Sequence, residues 1–184
     1  MNLMKKNFLK FIAISGLFSL FFSFPLATPG IINQFDFESF TLVSLVILSA
    51  LSYLIFLAGF VYLGKKTQNT LMIVSSCFLI LISVFNDFTI FLSQTSTKWS
   101  IFFDQPSRII SFGIIFGLVG ILHGISLLKL EKQLGSIAKK TGWVEMIFGF
   151  SLLTLVLSPI AILLIIPLYI LEIMLLLKAN KVRI

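Results

Sequence analysis

The stretch Trp143–Leu177, WVEMIFGFSLLTLVLSPIAILLIIPLYILEIMLLL, carries only two charges, Glu145 and Glu172, one near each end. As a single helix of about 35 residues at about 1.5 Å each, it would reach about 50 Å, against a hydrocarbon core of about 30 Å. A segment of that length has to tilt, kink or fold back. Pro159, after Ser158, lies near its middle and is a natural place to turn. A turn there leaves two arms, Trp143–Leu157 and Ile160–Leu177, each about 23–27 Å long. Both are slightly short for a full span, which local thinning or a recessed turn would absorb.

Four more apolar windows precede this tail: Phe8–Leu26, Leu42–Leu63, Leu71–Leu92 and Ile109–Leu128. The chain has 184 residues, of which 58% are hydrophobic and 11% charged. A soluble domain would carry about 25% charge. No polar stretch is long enough for a separate soluble domain, so residues 1–184 read as one integral membrane domain. The fold class is all-α, a polytopic membrane helix bundle. The net charge of +7 does not indicate nucleic acid, because the basic residues cluster at the ends of apolar runs. The bilayer itself, with anionic lipids at the inner leaflet, is the expected counter-charge. A single cysteine, Cys77, excludes an intramolecular disulfide and a multi-cysteine metal site.

Charge distribution sets the expected topology. With six spans, the last two a tight hairpin at Pro159, the cytoplasmic side collects Lys5, Lys6, Lys10, Lys65, Lys66, Lys129, Lys132, Lys139, Lys140, Lys178, Lys181 and Arg183. Only Lys98 and Arg108 fall outside. That is the bias the positive-inside rule demands, and it places both termini in the cytoplasm, the membrane being a prokaryotic plasma membrane. A single fifth helix would send Lys178, Lys181 and Arg183 outside. Cleavage of Phe8–Leu26 as a signal peptide would leave five spans, but Pro25 is poorly placed for a cleavage site.

The outer loops place Phe35, Phe37 and Phe40 among Asp36, Glu38 and Ser39, and Trp99, Ile101, Phe102 and Phe103 beside Asp104. Aromatic residues mixed with charges suit a loop resting at the interface. On the inner side, Leu127, Leu130, Leu134 and Ile137 recur at spacings of three and four. They read as an extension of the fourth span that bends onto the inner leaflet, or as a basic turn that only sets orientation. Asn86 and Asp87 are expected at the outer end of the third span.

Two features carry candidate function. Gly113, Gly117, Gly120 and Gly124 share one face of the fourth span and predict close approach of another helix, internal or from a second subunit. His123, Glu145 and Glu172 lie on three different spans in the cytoplasmic third. Ionisable residues inside spans are costly, which makes them functional candidates. One imidazole with two carboxyls is the chemistry of a proton relay or a divalent metal, but metal-ligand spacing is absent, so no metal and no cofactor is expected. The structural alternative keeps them as a helix-opening Glu145, an interfacial Glu172 and a hydrogen-bonded His123. A Cys–Arg–His transpeptidase is excluded, because Arg108 and His123 stand about 22 Å apart along one helix.

The run Lys139–Gly142 (Lys-Lys-Thr-Gly), the amphipathic stretch before it and the apolar hairpin after it give Leu127–Lys178 its character. In these features the segment resembles an uncharacterised bacterial and archaeal family of small multi-pass membrane proteins. The resemblance implies the architecture and no activity. Without catalytic motifs, the expected role is a non-enzymatic scaffold, accessory subunit or assembly component, as a homo-oligomer or with another membrane protein. The alternative is a small transporter or channel subunit using His123, Glu145 and Glu172.

Overall fold

The computed structural model describes residues 2–27, 39–95, 106–154 and 157–182. Of the two aromatic loops, Phe35, Asp36, Phe37, Glu38, Lys98, Trp99, Ile101, Phe102, Phe103 and Asp104 lie outside the described residues, while Ser39 and Phe40 open the second helix. The described residues form an all-helical bundle: α1 (Asn2–Ala27), α2 (Ser39–Lys66), α3 (Thr70–Thr95), α4 (Pro106–Leu128), the short α5 (Glu131–Leu134), α6 (Ser136–Leu153) and α7 (Ser158–Lys181). Among them, four helices are long and apolar enough to cross a membrane: residues Ser44–Lys66, Thr70–Thr89, Ile110–Leu128 and Pro159–Lys181. The stretch Phe8–Phe21 of α1 is a shorter apolar helix. This is a membrane protein built as a helix bundle. In lipid a helix satisfies every backbone group within its own segment, so a chain of long continuous apolar runs takes that form.

The long helices pack in chain order and close on themselves. α1 packs on α2, α2 on α3, α3 on α4, α4 on α6, α6 on α7, and α7 returns to α1. Large apolar side chains such as Phe11, Phe21, Phe78, Leu81, Leu122 and Leu163 point outward from the ring. The tail breaks where Pro159 stands: α6 stops at Leu153, and Pro159 occupies the first turn of α7. A proline there forfeits no hydrogen bond, because the first turn's N–H groups have no helical partners. Both arms are longer than the apolar run suggested. α6 begins at Ser136, and α7 runs to Lys181, so basic and small residues beyond Trp143 and Leu177 complete the helices.

The lysine-bearing end of the bundle is the tightly packed one. Leu9, Ile12, Phe56, Phe60, Leu63, Met72, Leu127, Leu130, Leu134, Leu175 and Leu176 form a continuous buried core there. This corrects the expectation that the stretch after Leu127 extends the fourth span onto the leaflet. α4 ends at Leu128, and Gly135, at φ 68°, turns the chain between α5 and α6. Leu127, Leu130 and Leu134 are then buried against α7 rather than against lipid. The spacing was helical, but burial inside the protein satisfied it in place of the membrane surface. Lys139 pairs with Glu131 at 3.2 Å on the exposed side. The apolar span of α3 is Thr70–Thr89, so Asn86 and Asp87 lie near its end, as expected, while the helix itself continues to Thr95.

One side chain ties the turn between α2 and α3 to α4. Asn69 accepts the Met72 N–H at 3.2 Å through Oδ1 and donates from Nδ2 to the Ser126 carbonyl at 2.8 Å. It therefore caps α3 and satisfies a buried carbonyl at the end of α4. Asn69→Ala loses both and is expected to cost about 1–3 kcal/mol. Thermal unfolding in detergent measures this, and an unchanged melting temperature would contradict the role given to Asn69.

Candidate functional site

Small residues bring α4 and α6 together. A Cβ added to Gly117 would lie 2.7 Å from the Gly149 carbonyl oxygen, and one added to Gly149 would lie 2.6 Å from that of Gly117. Gly124 and Gly142 repeat the arrangement, at 2.7 and 2.8 Å. The two pairs run in opposite senses along the chain, so the helices are antiparallel with glycine facing glycine. Gly120 sits between these pairs and faces the Glu145 carboxyl, whose Oε1 would be 3.4 Å from an added Cβ. Gly113 is looser, its nearest neighbour being the Leu152 carbonyl at 4.0 Å. The helix that approaches this glycine face belongs to the same chain. Gly142 and Gly149 on α6 supply its other half, a match that the sequence carries as small residues seven apart.

A cavity of about 270 Å³ lies inside the ring, with lining residues from all six long helices, from Leu20 on α1 to Glu172 on α7. Its walls are apolar, including Leu57, Leu79, Phe116, Phe148 and Leu168. Among the described residues its polar side chains are four: the carboxyls of Glu145 and Glu172 and the phenols of Tyr53 and Tyr169. Both glutamates are buried, at 5% and 7% exposure. Glu145 keeps Oε2 without a hydrogen-bond partner. Neither carboxyl has an ion pair among the described residues, where Lys139–Glu131 is the pair observed.

The tyrosines are held from behind. The Tyr169 ring stacks on Phe56 with centroids 5.7 Å apart, and its hydroxyl lies 3.4 Å from Ser19 Oγ. Tyr53 stands 6.2 Å from Tyr169 in a tilted pair. Phe56 in turn packs edge-on against Phe60 at 5.4 Å, which anchors the floor of the cavity in the dense core.

His123 is not in this cavity. Its ring turns toward α2 and α3, with Nδ1 3.0 Å from Ser75 Oγ and an edge-on contact to Phe60 at 5.1 Å. It is fully buried, and Nε2 has no hydrogen-bond partner. Of the three ionisable residues singled out in the sequence, the fold brings Glu145 and Glu172 to one space and sets His123 in the packed core beside it. No group of His, Cys, Asp and Glu suited to a metal ion occurs among the described residues. Tyr53 and Tyr169 were missed in the sequence, where single tyrosines in apolar runs look like any other aromatic residue. A sharper signal was available on α7: Tyr169 precedes Glu172 by three residues, so both share one helix face.

No protein-family model, no curated protein and no solved structure matches this chain.

Proposed function

We propose that this protein is a small membrane carrier whose substrate is a cation, held in the central cavity by Glu145 and Glu172. The observation that supports this is two buried carboxyls lining one cavity with no basic partner among the described residues. An unpaired buried charge is expensive in a low-dielectric interior. Such a site becomes neutral by two routes, by taking up protons or by taking up a cation. A site that exchanges one for the other couples substrate movement to proton movement. A scaffold has no use for this arrangement, which weighs against that expectation. The bundle would then be a six-span ring with both termini cytoplasmic, α1 and α6 completing the four longer spans. Under that topology the packed core closes the cytoplasmic side. The likeness of Leu127–Lys178 to a small multi-pass family belongs to the same proposal and adds no substrate.

The test is reconstitution into liposomes with an imposed pH gradient and a pH dye inside. A panel of inorganic and organic cations is added outside. At least one is expected to dissipate the gradient faster than in empty liposomes, and the double variant Glu145→Gln, Glu172→Gln should remove that difference. Equal rates with and without protein across the whole panel would end the carrier reading.

Topology has its own measurement. Reporter fusions at Ile184 and within the loop Thr95–Trp99 should report the cytoplasm and the outside, respectively. An external signal from Ile184 would overturn the six-span arrangement.

A further inference from the structure

We infer that the cation is a small lipophilic organic amine or quaternary ammonium, and that it enters sideways from the bilayer at α7. The inference rests on the cation reading above and specifies the substrate class and its route.

The wall chemistry selects the class. A hard inorganic cation such as calcium or magnesium is bound by about six or more oxygen ligands, many of them carbonyls and waters. This cavity offers two carboxyls and two phenols in an otherwise aliphatic and aromatic lining. An ammonium centre wrapped in carbon needs no dense oxygen shell. It takes one or two carboxylates for its charge, and the faces of aromatic rings such as Tyr53 and Tyr169 attract it further. Its hydrocarbon part is matched by Leu57, Leu79, Phe116 and Phe148. The volume of about 270 Å³ leaves room for a small amine.

The route follows from which residues belong to both the cavity and the outer surface. Ile162 and Ile166 line the cavity, and they are also 64% and 43% exposed, unlike the buried Leu57, Leu79 and Leu168 of the same lining. The wall at this point is thus a single layer of isoleucine side chains. The lysine-bearing end is sealed by Phe60, Leu63 and Leu176, all fully buried. Pro167 lies in the same wall, inside α7. It has no N–H to donate to the Leu163 carbonyl, so this turn is the one at which α7 bends with least loss. A lipophilic cation partitions into the membrane, and the thin wall faces it there.

Binding of radiolabelled benzyltrimethylammonium to the purified protein in nanodiscs of neutral lipid tests the proposal. Saturable binding is expected, weakened at least tenfold by Glu145→Gln and by Glu172→Gln separately. Neopentylbenzene has the same shape with carbon in place of nitrogen, and it should fail to compete. Ile166→Trp, which thickens the wall, should slow both association and dissociation. Absence of saturable binding overturns the substrate class, as does binding that both Gln variants retain or that neopentylbenzene displaces. Unslowed association in Ile166→Trp overturns the route. The two readings fail separately. Dissipation of the pH gradient by inorganic cations alone leaves a carrier and removes the organic substrate. Saturable, carboxyl-dependent binding without any flux leaves the ligand and removes the carrier.

Discussion

Gly117→Ala is expected to destabilise the bundle, although the same substitution at Gly113 should be neutral or mildly stabilising. Alanine is favoured over glycine inside a helix by about 1 kcal/mol, so on propensity alone both changes help. The difference lies across the interface. At Gly113 the added methyl would meet the Leu152 carbonyl at 4.0 Å, ordinary van der Waals contact. At Gly117 it would stand 2.7 Å from the Gly149 carbonyl oxygen and 3.2 Å from the Leu153 nitrogen. Those are backbone atoms, and they move only if α6 moves. Overpacking of this sort costs about 1–3 kcal/mol, and leucine at the same place should cost more, because no rotamer escapes the facing helix. Gly149→Ala should reproduce the loss, because the contact is reciprocal. Thermal unfolding of Gly113→Ala, Gly117→Ala and Gly149→Ala in one detergent decides it. Equal melting temperatures for Gly113→Ala and Gly117→Ala would remove the case for close α4–α6 packing. The same displacement should carry Glu145 away from Gly120 and distort the cavity, so packing and site are expected to fail together.

How far the sequence disclosed this fold can be judged from the same helices. The glycine face of α4 was legible because small residues at spacings of four, three and four leave a groove along one side of a helix, and inside lipid a second helix fills such a groove. Its partner was not, since Gly142 and Gly149 are only two and belong to a stretch that begins among lysines. The break before Pro159 was legible from span length and from a residue that cannot sit freely within a helix. Of the two readings of the stretch after Leu127, the one that lays it on the leaflet fails, because a period of three and four marks an apolar face without saying whether lipid or protein covers it. The site was half legible. Depth along each span follows from residue spacing, and it set Glu145 and Glu172 at one level. Rotation about each helix axis does not follow from depth. It turned both glutamates and two tyrosines inward to one cavity and sent His123 toward Ser75 and Phe60.

Glu145 provides the sharpest separation between a residue kept for function and one kept for the fold. A carboxyl that holds the bundle together should cost stability when removed. One maintained for a ligand should cost stability while it is present. Glu145 has one oxygen without a hydrogen-bond partner, and neither it nor Glu172 has a basic partner among the described residues. Burying a polar group unsatisfied costs about 1–3 kcal/mol. Methionine is similarly long and unbranched, adapts to irregular space, and carries no such penalty. Glu145→Met is therefore expected to raise the unfolding free energy by about 1–3 kcal/mol while abolishing binding and exchange. Glu172→Met should act in the same direction, and because the two carboxyls share one cavity, the double variant should fall short of the sum of the single gains. Glu145→Gln keeps the shape and a neutral polar group, so it should lose binding with a smaller rise in stability. Melting temperatures measured without ligand rank the variants. A Glu145→Met protein that melts well below the unmodified chain would mark Glu145 as a structural residue and take the cavity out of consideration as a binding site. A protein that becomes more stable as it loses its ligand has been carrying the carboxyl for the ligand's sake.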